Sequence, residues 1–519
     1  MAQNELSRRN FMQGAVATAA GVGLLAGTQG SSTGQEAAKR PNLLFVFTDQ
    51  QSRDTLGCYG NEDVITPNLD AFAQQGIQFE HCVSSSPVCT PYRGILLSGQ
   101  HPLYNGAVHN DIPMLANNGK YFGHALTDAG YRTGYVGKWH LLGHERDRPV
   151  PAGKMRYGFD GYFLTNNCHV DYRPGHCYYW NDDDEKIFFD EWEVYGQTRQ
   201  ALDFLDDCSP QDEDPFALFV SWHPPHDVGL NRDTLVFRYD TEAELMDMYD
   251  PEAITLRPSA EEDPDVRHAY HGYYAMCTGV DIAFGWLMEK LKERGLDDNT
   301  IVVFTSDHGD NLNSYGYRIA KDHPEDTSSR VPFLMKLPEQ TEHRKSDLLF
   351  GSLDMMPTML GLLGIEAPET CQGKNLAEAV LEGDDDAVDS VPLFFHNPAW
   401  SGVYTRDVTY GYGELSHFAH NEDGNVTLEK VPVRALYDRR NDPYQLDNLY
   451  GKPEHAELQA RMESLTQEWL DHFGDPGGIG RAELEPYYQL ANGRFPEDTE
   501  DEGFPGRPID VIRQHLSTS

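Results

Sequence analysis

The chain has 519 residues, enough for one large domain with a smaller one appended or for about two to three ordinary domains. Asp and Glu total 83 against 41 Lys and Arg, a formal net charge of −42, which argues against a nucleic-acid partner because phosphate binding needs a basic surface. Hydrophobic residues make up 39%, as in a folded protein with a polar surface. The large negative charge favours adaptation to high salt over the alternative of an ordinary acidic secreted protein.

Residues 1–38 are predicted to form a targeting segment rather than part of the fold. Two adjacent arginines, Arg8 and Arg9, precede Phe11 and a short Ala- and Gly-rich run that ends near Gly27. This order resembles a twin-arginine export signal, and the run is too short and too small-sided for a membrane anchor. We therefore expect export by the twin-arginine machinery to an extracellular, cell-surface or periplasmic location, with no stable membrane span in the mature protein.

Apolar strands alternate with helices between residues 39 and 380, which is typical of a parallel α/β sheet. The predicted strands cover 41–49, 131–137, 215–221 and 300–307, while one helix begins at Thr66, another ends at Gly130 and a third spans 267–294. Polar residues follow several of these strands, namely Asp49, His223, His226 and Asp307. Because ligands of such sheets bind outside the carboxyl ends of the strands, we expect these side chains to face one site.

Residues 381–519 are predicted to form a smaller C-terminal antiparallel subdomain and a tail. The subdomain is α+β in character because short strand-like pieces precede a helix. The pieces cover 391–396, 403–410 and 431–437, and the helix covers 455–473. The tail after Gly474 is rich in Gly, Pro and acidic residues, which predicts an extended surface segment.

The eight cysteines are too few for a scaffold built on disulfides, although Cys168 and Cys177 are close enough in sequence to pair. Cys89 differs from the others because it opens the run Cys89-Thr90-Pro91-Tyr92-Arg93 at a predicted helix start. A C-x-P-x-R run is a weak signal alone. Further motifs follow it in chain order, namely Leu97-Ser98-Gly99, Gly137-Lys138-Trp139-His140 and Ser306-Asp307-His308-Gly309-Asp310.

Together these motifs resemble the type I sulfatases, formylglycine-dependent members of the alkaline-phosphatase superfamily. The resemblance covers roughly residues 40–450 and includes the segment that begins at Thr66 and the late Asn441-Asp442-Pro443. It implies a large mixed, mostly parallel sheet sandwiched by helices, with the catalytic domain over 39–380. It also implies a sulfuric ester hydrolase that cleaves sulfate monoesters.

The resemblance assigns the nucleophile and the metal site. Cys89 is expected to be oxidised to formylglycine by a maturation enzyme, and one hydroxyl of the hydrated aldehyde attacks sulfur while the other later expels sulfate. Asp49, Gln50, Asp307 and His308 are expected to bind one divalent cation. Their oxygen donors favour Ca²⁺, with Mg²⁺ possible. Gln50 replaces a frequent second Asp and His308 adds a nitrogen, which moves the preference toward Mn²⁺ or another transition ion.

The resemblance also implies four cationic groups around the ester. Arg93 is expected to hold the formylglycine in place, and Lys138 to bind the nucleophile and the sulfate. His140 takes the proton that triggers sulfate release. Lys321 binds sulfate and stabilises charge on the leaving oxygen.

The segment Trp222-His223-Pro224-Pro225-His226 offers one more sulfate ligand. The Pro-His context favours His226, and His223 is the competing choice. Asp310 is expected at most to support the metal loop. Four other side chains are weaker candidates for lining a substrate pocket, namely Trp180, Asn181, His396 and Trp400.

Two other functions are open at this stage. Phosphonate monoester and phosphodiester hydrolases of the same superfamily share the C-x-P-x-R nucleophile, although the length, the export signal and the C-terminal pattern favour a sulfatase. A secreted, metal-stabilised binding protein without activity would be expected to lack Lys138, His140 or Lys321, and all three are present. The alcohol of the sulfate ester is left open between a polysaccharide, an aryl group and a small molecule.

Overall fold

A computed structural model describes residues 39–143, 146–491 and 506–518. The predicted signal region, residues 1–38, lies outside the described residues, so export by the twin-arginine route stays a prediction. Within the described ranges no helix combines the length and the apolar character needed to cross a bilayer.

A large sheet of eleven strands carries the predicted α/β region. In chain order the strands are β1 (Asn42–Thr48), β2 (Ile77–Val83), β3 (Arg132–Lys138), β4 (Tyr162–Asn166), β5 (Tyr178–Trp180), β6 (Lys186–Phe188), β7 (Phe216–Trp222), β8 (Thr300–Ser306), β9 (Arg330–Val331), β10 (Phe333–Lys336) and β11 (Arg344–Gly351). Their spatial order is β11-β2-β10-β8-β1-β7-β3-β4-β5-β6, and β9 pairs with β2. The five central strands, β8, β1, β7, β3 and β4, are parallel. The predicted mixed, mostly parallel sheet is therefore confirmed.

Helices cover both faces of this sheet. Their bounds are α1 (Pro67–Ala73), α2 (Cys89–Ser98), α3 (Pro102–Asn105), α4 (Phe122–Asp128), α5 (Glu193–Asp206), α6 (Ala243–Met246), α7 (Pro264–Glu293), α8 (Asp326–Ser329), α9 (Ser352–Leu362) and α10 (Ala377–Glu382). Strand β1 shows the sandwich directly, because its side chains alternate between two buried clusters. Phe45 and Phe47 pack in the cluster with α2 and α4, whereas Leu44 and Val46 pack in the cluster with α5 and α7.

A second sheet follows, formed by β12 (Val391–His396), β13 (Ala399–Tyr404), β14 (Val408–His420) and β15 (Val426–Asp438), all antiparallel and in chain order. The single strand predicted over 403–410 is wrong, because the chain reverses between Tyr404 and Val408. The Thr405 N–H donates to the Val408 carbonyl at 2.9 Å, and the Val408 N–H donates to Thr405 Oγ1 at 3.0 Å. The sequence did not predict this turn, because its polar Thr-Arg-Asp centre is short and apolar residues flank it on both sides. Helix α11 (Ala456–Phe473) agrees with the prediction.

The extended tail predicted after Gly474 is also wrong. The described part of the tail contains α12 (Arg481–Ala491) and α13 (Pro508–Thr518). Leu484, Tyr487, Tyr488 and Ala491 recur at the spacing of one helix face and pack on Leu103, Val108 and Ile112, together with Ile509 and Ile512. This helical spacing is present in the sequence, but the surrounding Gly, Pro and acidic residues outweighed it.

All eight cysteines are unpaired, so Cys168 and Cys177 do not form a disulfide. Cys177 instead lies 3.6 Å from the carbonyl oxygen of Glu191 and is buried. Cys168 is buried just beyond the carboxyl end of β4, at the same edge of the sheet as the predicted site.

Substitution of Gly137, in β3, tests how tightly the sheet edge is packed. Its φ is 129°, and a Cβ there would lie 2.1 Å from the Ser221 carbonyl oxygen. Gly60 also has a positive φ, 99°, but nothing lies within 4 Å of its Cβ position. In chemical denaturation we expect Gly137→Ala to lower the free energy of unfolding by about 3 kcal/mol or more and Gly60→Ala by about 1 kcal/mol. Equal losses in the two variants would contradict the close packing of β3 on β7.

Candidate active site

The predicted site residues come from separate strand ends and meet at one edge of the large sheet. Asp49 and Gln50 follow β1, while Asp307 and His308 follow β8, its parallel neighbour. Lys138 ends β3, and Cys89 begins α2 after the strand β2. Because these strand ends share one edge, residues far apart in the chain come into contact, as expected for an α/β sheet.

Cys89 lies at the centre of this group. Its Sγ is 3.2 Å from Lys321 Nζ, 3.4 Å from His308 Nε2 and 3.5 Å from Asp49 Oδ1. Burial and Asp49 raise the pKa of the thiol, but Lys138, Lys321 and His308 together hold it well below its usual value. As the first residue of a ten-residue helix, Cys89 also faces the positive end of the helix dipole.

Arg93 lies one helical turn after Cys89 and therefore on the same face of α2. Its Nη2 donates to Asp49 Oδ2 at 3.1 Å and to Asp307 Oδ2 at 3.2 Å. Its Nη1 donates at 2.7 Å to the Lys138 carbonyl and at 2.7 Å to Ser221 Oγ. One buried guanidinium thus joins the ends of β1, β8, β3 and β7 and sets the position of the helix that carries Cys89.

Two carboxylates share the buried centre. Lys138 Nζ donates to Asp49 Oδ2 at 2.6 Å. Burial opposes ionisation of Asp49, but Lys138 and neighbouring cations hold its pKa well below the usual value. Burial and the nearby Asp49 raise the pKa of Asp307 to about 6. His308 Nε2 is 3.5 Å from Asp49 Oδ1 and 3.4 Å from Asp307 Oδ1, so three potential metal donors face one point.

Gln50 is held in one orientation by Asp310, Lys321 and a residue that the sequence left unassigned, Asp227. Its Nε2 donates to Asp310 Oδ2 at 2.6 Å and to Asp227 Oδ2 at 3.2 Å. Because two carboxylates can accept only from the NH₂ end of the amide, Oε1 must point the other way, where Lys321 Nζ donates to it at 2.8 Å. Asp310, predicted at most to support the loop, therefore contacts Gln50 directly.

The two histidines that follow β7 have different surroundings. His226 Nε2 lies 3.0 Å from Lys321 Nζ, beside Cys89. The His223 ring is fully buried, neither of its nitrogens makes a hydrogen bond to a described residue, and its Nδ1 lies 3.9 Å from Glu193 Oε1. Of the two candidates, His226 is the one brought to the site.

His140 lies just beyond Lys138 in an uncommon backbone conformation, with φ of 54°. Its N–H donates to the Asn167 carbonyl at 2.7 Å, and Thr90 Oγ1 donates to its carbonyl at 2.8 Å. Its ring Nε2 lies 3.3 Å from Asp111 Oδ1. Sequence reasoning missed Asp111, because one aspartate among many in an acidic chain carries no motif.

The weaker pocket candidates separate into two groups. Trp180 is part of β5, where Lys186 Nζ lies 4.9 Å from its ring centre, and Asn181 forms the turn that follows. His396 and Trp400 are buried, so they do not line an open pocket. Trp400 Nε1 instead donates to the carbonyl of Asp322, next to Lys321, at 2.8 Å.

His396 belongs to a second buried group of potential metal ligands, with His101 and Asp475. The Leu103 N–H donates to His101 Nδ1 at 3.3 Å, so the neutral ring carries its proton on Nε2, the atom that faces Asp475 Oδ2 at 4.0 Å. A protonated nitrogen cannot bind a metal. Of the two groups found among the described residues, the one around Asp49 and Asp307 is therefore the better ion site.

A buried thiol flanked by lysines and carboxylates, at the carboxyl edge of an α/β sheet, suits an enzyme that acts on an anionic ester. The profile of the sulfatase family matches residues 41–365, and a profile described as the C-terminal part of N-sulphoglucosamine sulphohydrolase matches residues 320–471. The chain belongs to the sulfatase family, type I, of the alkaline-phosphatase superfamily. It is a sulfatase, an enzyme that hydrolyses sulfate esters.

Individual proteins agree with this assignment. The chain is 32% identical over 455 residues to an ulvan-active sulfatase of Formosa agariphila, covering 85% of this chain and 83% of that protein. It is 29% identical over 500 residues to an endo-4-O-sulfatase of Bacteroides thetaiotaomicron, covering 85% and 94%. The solved structure of the sulfatase-family protein yidJ from Bacteroides fragilis superposes with a TM-score of 0.73 at 30% identity, covering 86% of this chain and 98% of that one.

We expect Glu193, which lies next to the buried His223, to make the stability of the fold depend on pH. Burial raises the pKa of Glu193 to about 8, although a hydrogen bond from Tyr179 opposes the shift. Because this folded-state value exceeds that of the unfolded chain, the stabilisation from the bound proton is complete below about pH 4.3 and is lost as the pH rises through about 8. Between pH 5 and 8.5 we expect the free energy of unfolding to fall by about 4 kcal/mol more in the wild type than in Glu193→Gln. Parallel pH profiles for the two proteins in urea titrations would contradict it.

Proposed function

We propose that the chain hydrolyses sulfate monoesters through a formylglycine formed at Cys89, assisted by one divalent cation. The observation that carries the proposal is the contact of Cys89 with Lys321, His308 and Asp49 at distances of 3.2 to 3.5 Å. A nucleophile in this position is surrounded by the positive charge that an anionic ester needs.

The donor set fits a divalent cation. His308 Nε2 lies 3.5 Å from Asp49 Oδ1 and 3.4 Å from Asp307 Oδ1. These distances are close to the spacing of neighbouring ligands around an ion with bonds of about 2.4 Å. The amide oxygen of Gln50 completes the proposed ligand set. Two carboxylates and an amide favour Ca²⁺, and the histidine nitrogen keeps Mn²⁺ as the alternative, with Mg²⁺ also possible.

Formylglycine at residue 89 would supply a hydroxyl nucleophile in its hydrated form, and an ion held by Asp49, Gln50, Asp307 and His308 would supply positive charge. The chain's own residues do the rest. Lys138 is buried and Lys321 is half-buried, and nearby acids raise the pKa of both, so they remain charged and hold the sulfate oxygens. His226, against Lys321, provides a further donor to the sulfate.

Arg93 and His140 have different tasks in this proposal. Arg93 already donates to Asp49 and Asp307, so it holds the nucleophile helix against the metal ligands. His140 takes a proton as sulfate leaves. Its Nε2 contacts Asp111, which leaves Nδ1 as the atom available for that proton.

A sulfated polysaccharide is the substrate class that we propose, ahead of aryl and small sulfate esters. Two similar proteins carry the names ulvan-active sulfatase and endo-4-O-sulfatase, the first referring to action on ulvan and the second to cleavage at a 4-O-sulfate. The same proposal includes a maturation enzyme that converts Cys89 and export by the twin-arginine machinery, which rests on residues 7–12 of the sequence.

Parallel assays of two esters test the function. Protein matured in a host that converts Cys89 is given nitrophenyl sulfate, a nitrophenyl phosphonate monoester and, for sulfate release, ulvan. We expect kcat/KM to be higher for the sulfate ester than for the phosphonate ester. Cys89→Ala should lower the rate by at least about 10³-fold because it removes the nucleophile.

Cys58→Ala provides the matched control, because Cys58 is a half-buried thiol outside the group of residues around Cys89, and its backbone N–H donates to Asp70. This variant should keep wild-type activity. A preference for the phosphonate ester would favour the alternative hydrolase of the same superfamily. Full activity in Cys89→Ala would overturn the mechanism altogether.

A further inference from the structure

Among the residues that the structure describes, Asp111 is the acidic side chain in contact with the ring of His140. His140 Nε2 lies 3.3 Å from Asp111 Oδ1. The His140 side chain is almost completely buried, whereas Asp111 is 24% exposed. The carboxylate therefore lies between the buried imidazole and the surface.

A surface arginine holds that carboxylate in a fixed orientation. Arg146 Nε donates to Asp111 Oδ1 at 2.9 Å, and Arg146 Nη2 donates to Oδ2 at 2.8 Å. Such a two-point contact fixes the plane of the carboxylate, which a single bond does not. Asp111 itself has a positive φ of 64°, so the loop holds it in a conformation uncommon for a side-chain-bearing residue.

The contact decides which nitrogen of His140 carries the proton. An ionised carboxylate only accepts hydrogen bonds, so Nε2 must be the protonated atom. The lone pair is then on Nδ1, which is buried and has no hydrogen-bond partner among the described residues apart from the two thiols that act on the ring, Cys168 and Cys89. A neutral ring in this tautomer can accept a proton at Nδ1 without first losing one.

The loop that carries Asp111 also contacts the nucleophile helix. Asn110 Oδ1 accepts a hydrogen bond from the Thr90 N–H at 3.0 Å, next to Cys89. Ile112 packs in the cluster formed with the tail helices. Adjacent residues of one short loop thus touch the start of α2, the ring of His140 and the tail.

We propose that Asp111, oriented by Arg146, is a positioning residue that keeps His140 in the tautomer with Nδ1 free and stabilises the imidazolium formed when His140 takes a proton. The inference rests on the proposed role of His140. The proton moves to Nδ1, Nε2 keeps its own proton throughout, and Asp111 stays ionised, as the acid of a Ser-His-Asp triad does.

The charges around His140 favour its protonated form, which agrees with stabilisation of the imidazolium by Asp111. Burial lowers the pKa of His140, but Cys168, Asp111 and Cys89 outweigh burial and raise it to about 10 while Cys89 is a thiol. Conversion of Cys89 to formylglycine removes one of these acids, and His140 must lose its Nδ1 proton before it can act as the base. Conversely, burial alone would raise the pKa of Asp111, but His140 and Arg146 hold it below its usual range. Lys138, two residues before His140 in the chain, lowers the pKa of Cys168 and of Cys89.

The test is the pH dependence of kcat in Asp111→Asn, measured with nitrophenyl sulfate at equal formylglycine content. We expect kcat to fall about 10- to 100-fold, with KM within about threefold of wild type, because the ring loses its orientation but the sulfate ligands remain. The acidic limb of the profile should move to lower pH, because removing the negative charge makes the imidazolium easier to deprotonate.

Asp171→Asn is the matched control. Arg173 contacts Asp171 through the same two-point geometry, at 2.8 and 2.6 Å, and Asp171 is likewise 24% exposed. We expect this control to behave as wild type. Arg146→Gln should lower kcat when made alone and add no further loss in Asp111→Asn, because Arg146 acts through Asp111.

A loss confined to KM in Asp111→Asn, or an unmoved acidic limb, would overturn the inference and make Asp111 a substrate contact or a structural residue. The titration of His140, followed by NMR on histidine-labelled protein, separates this outcome from failure of the proposed function. A wild type that hydrolyses no sulfate ester defeats the function. In that preparation a lower pKa of His140 in Asp111→Asn than in Asp171→Asn still upholds the coupling, and identical titrations defeat it.

Discussion

Two ionisable carboxyl groups, Asp49 and Asp307, lie at the ends of adjacent parallel strands in a region with no access to solvent. Burial and mutual repulsion both oppose their charges, so the arrangement is stable only with cations between them. Arg93 supplies one by donating to both carboxylates, and Lys138 supplies a second by donating to Asp49. The order of the central strands brings these charges together, and the same charges then hold the strand ends.

The position of the nucleophile follows from this balance. Because Arg93 is attached to the carboxylates and lies one turn after Cys89, the start of α2 has little freedom relative to β1 and β8. Gln50 and His140 hold positive φ values of 70° and 54°, and each is tied on several sides by hydrogen bonds. Backbone strain of this kind persists where the surroundings specify it, and it is common at functional sites.

The negative charge of the whole chain contrasts with the positive charge around Cys89. The whole chain carries a formal charge of −42, yet lysines, an arginine and histidines are concentrated around Cys89. An anionic ester is thus repelled at long range and attracted at short range. Salt screens the first effect more than the second, because buried charges are less exposed to ions. High ionic strength is therefore expected to favour substrate entry, and salt adaptation stays a prediction.

Strong local patterns made much of the architecture predictable. The apolar strands ending in Asp49 and Asp307 and the C-x-P-x-R run identify the sheet edge and the helix start from sequence alone. Features set by contacts across the fold were not predictable in this way. Asp111 and Asp227 acquire their roles only from the neighbours that folding provides, and a long apolar stretch hid the turn after Tyr404. In the tail, the abundance of Gly, Pro and acidic residues predicted an extended segment, although four apolar residues between Leu484 and Ala491 recur at helical spacing.

Peptide mass spectrometry on the segment around Cys89, from active protein purified from its native host, tests the central claim most directly. If Cys89 is the precursor of the nucleophile, the peptide shows the loss in mass that accompanies conversion of a thiol to an aldehyde, in a fraction of molecules that tracks sulfatase activity between preparations. An unmodified cysteine in fully active, metal-loaded protein would contradict this claim and would require a thiol-based mechanism at the same site.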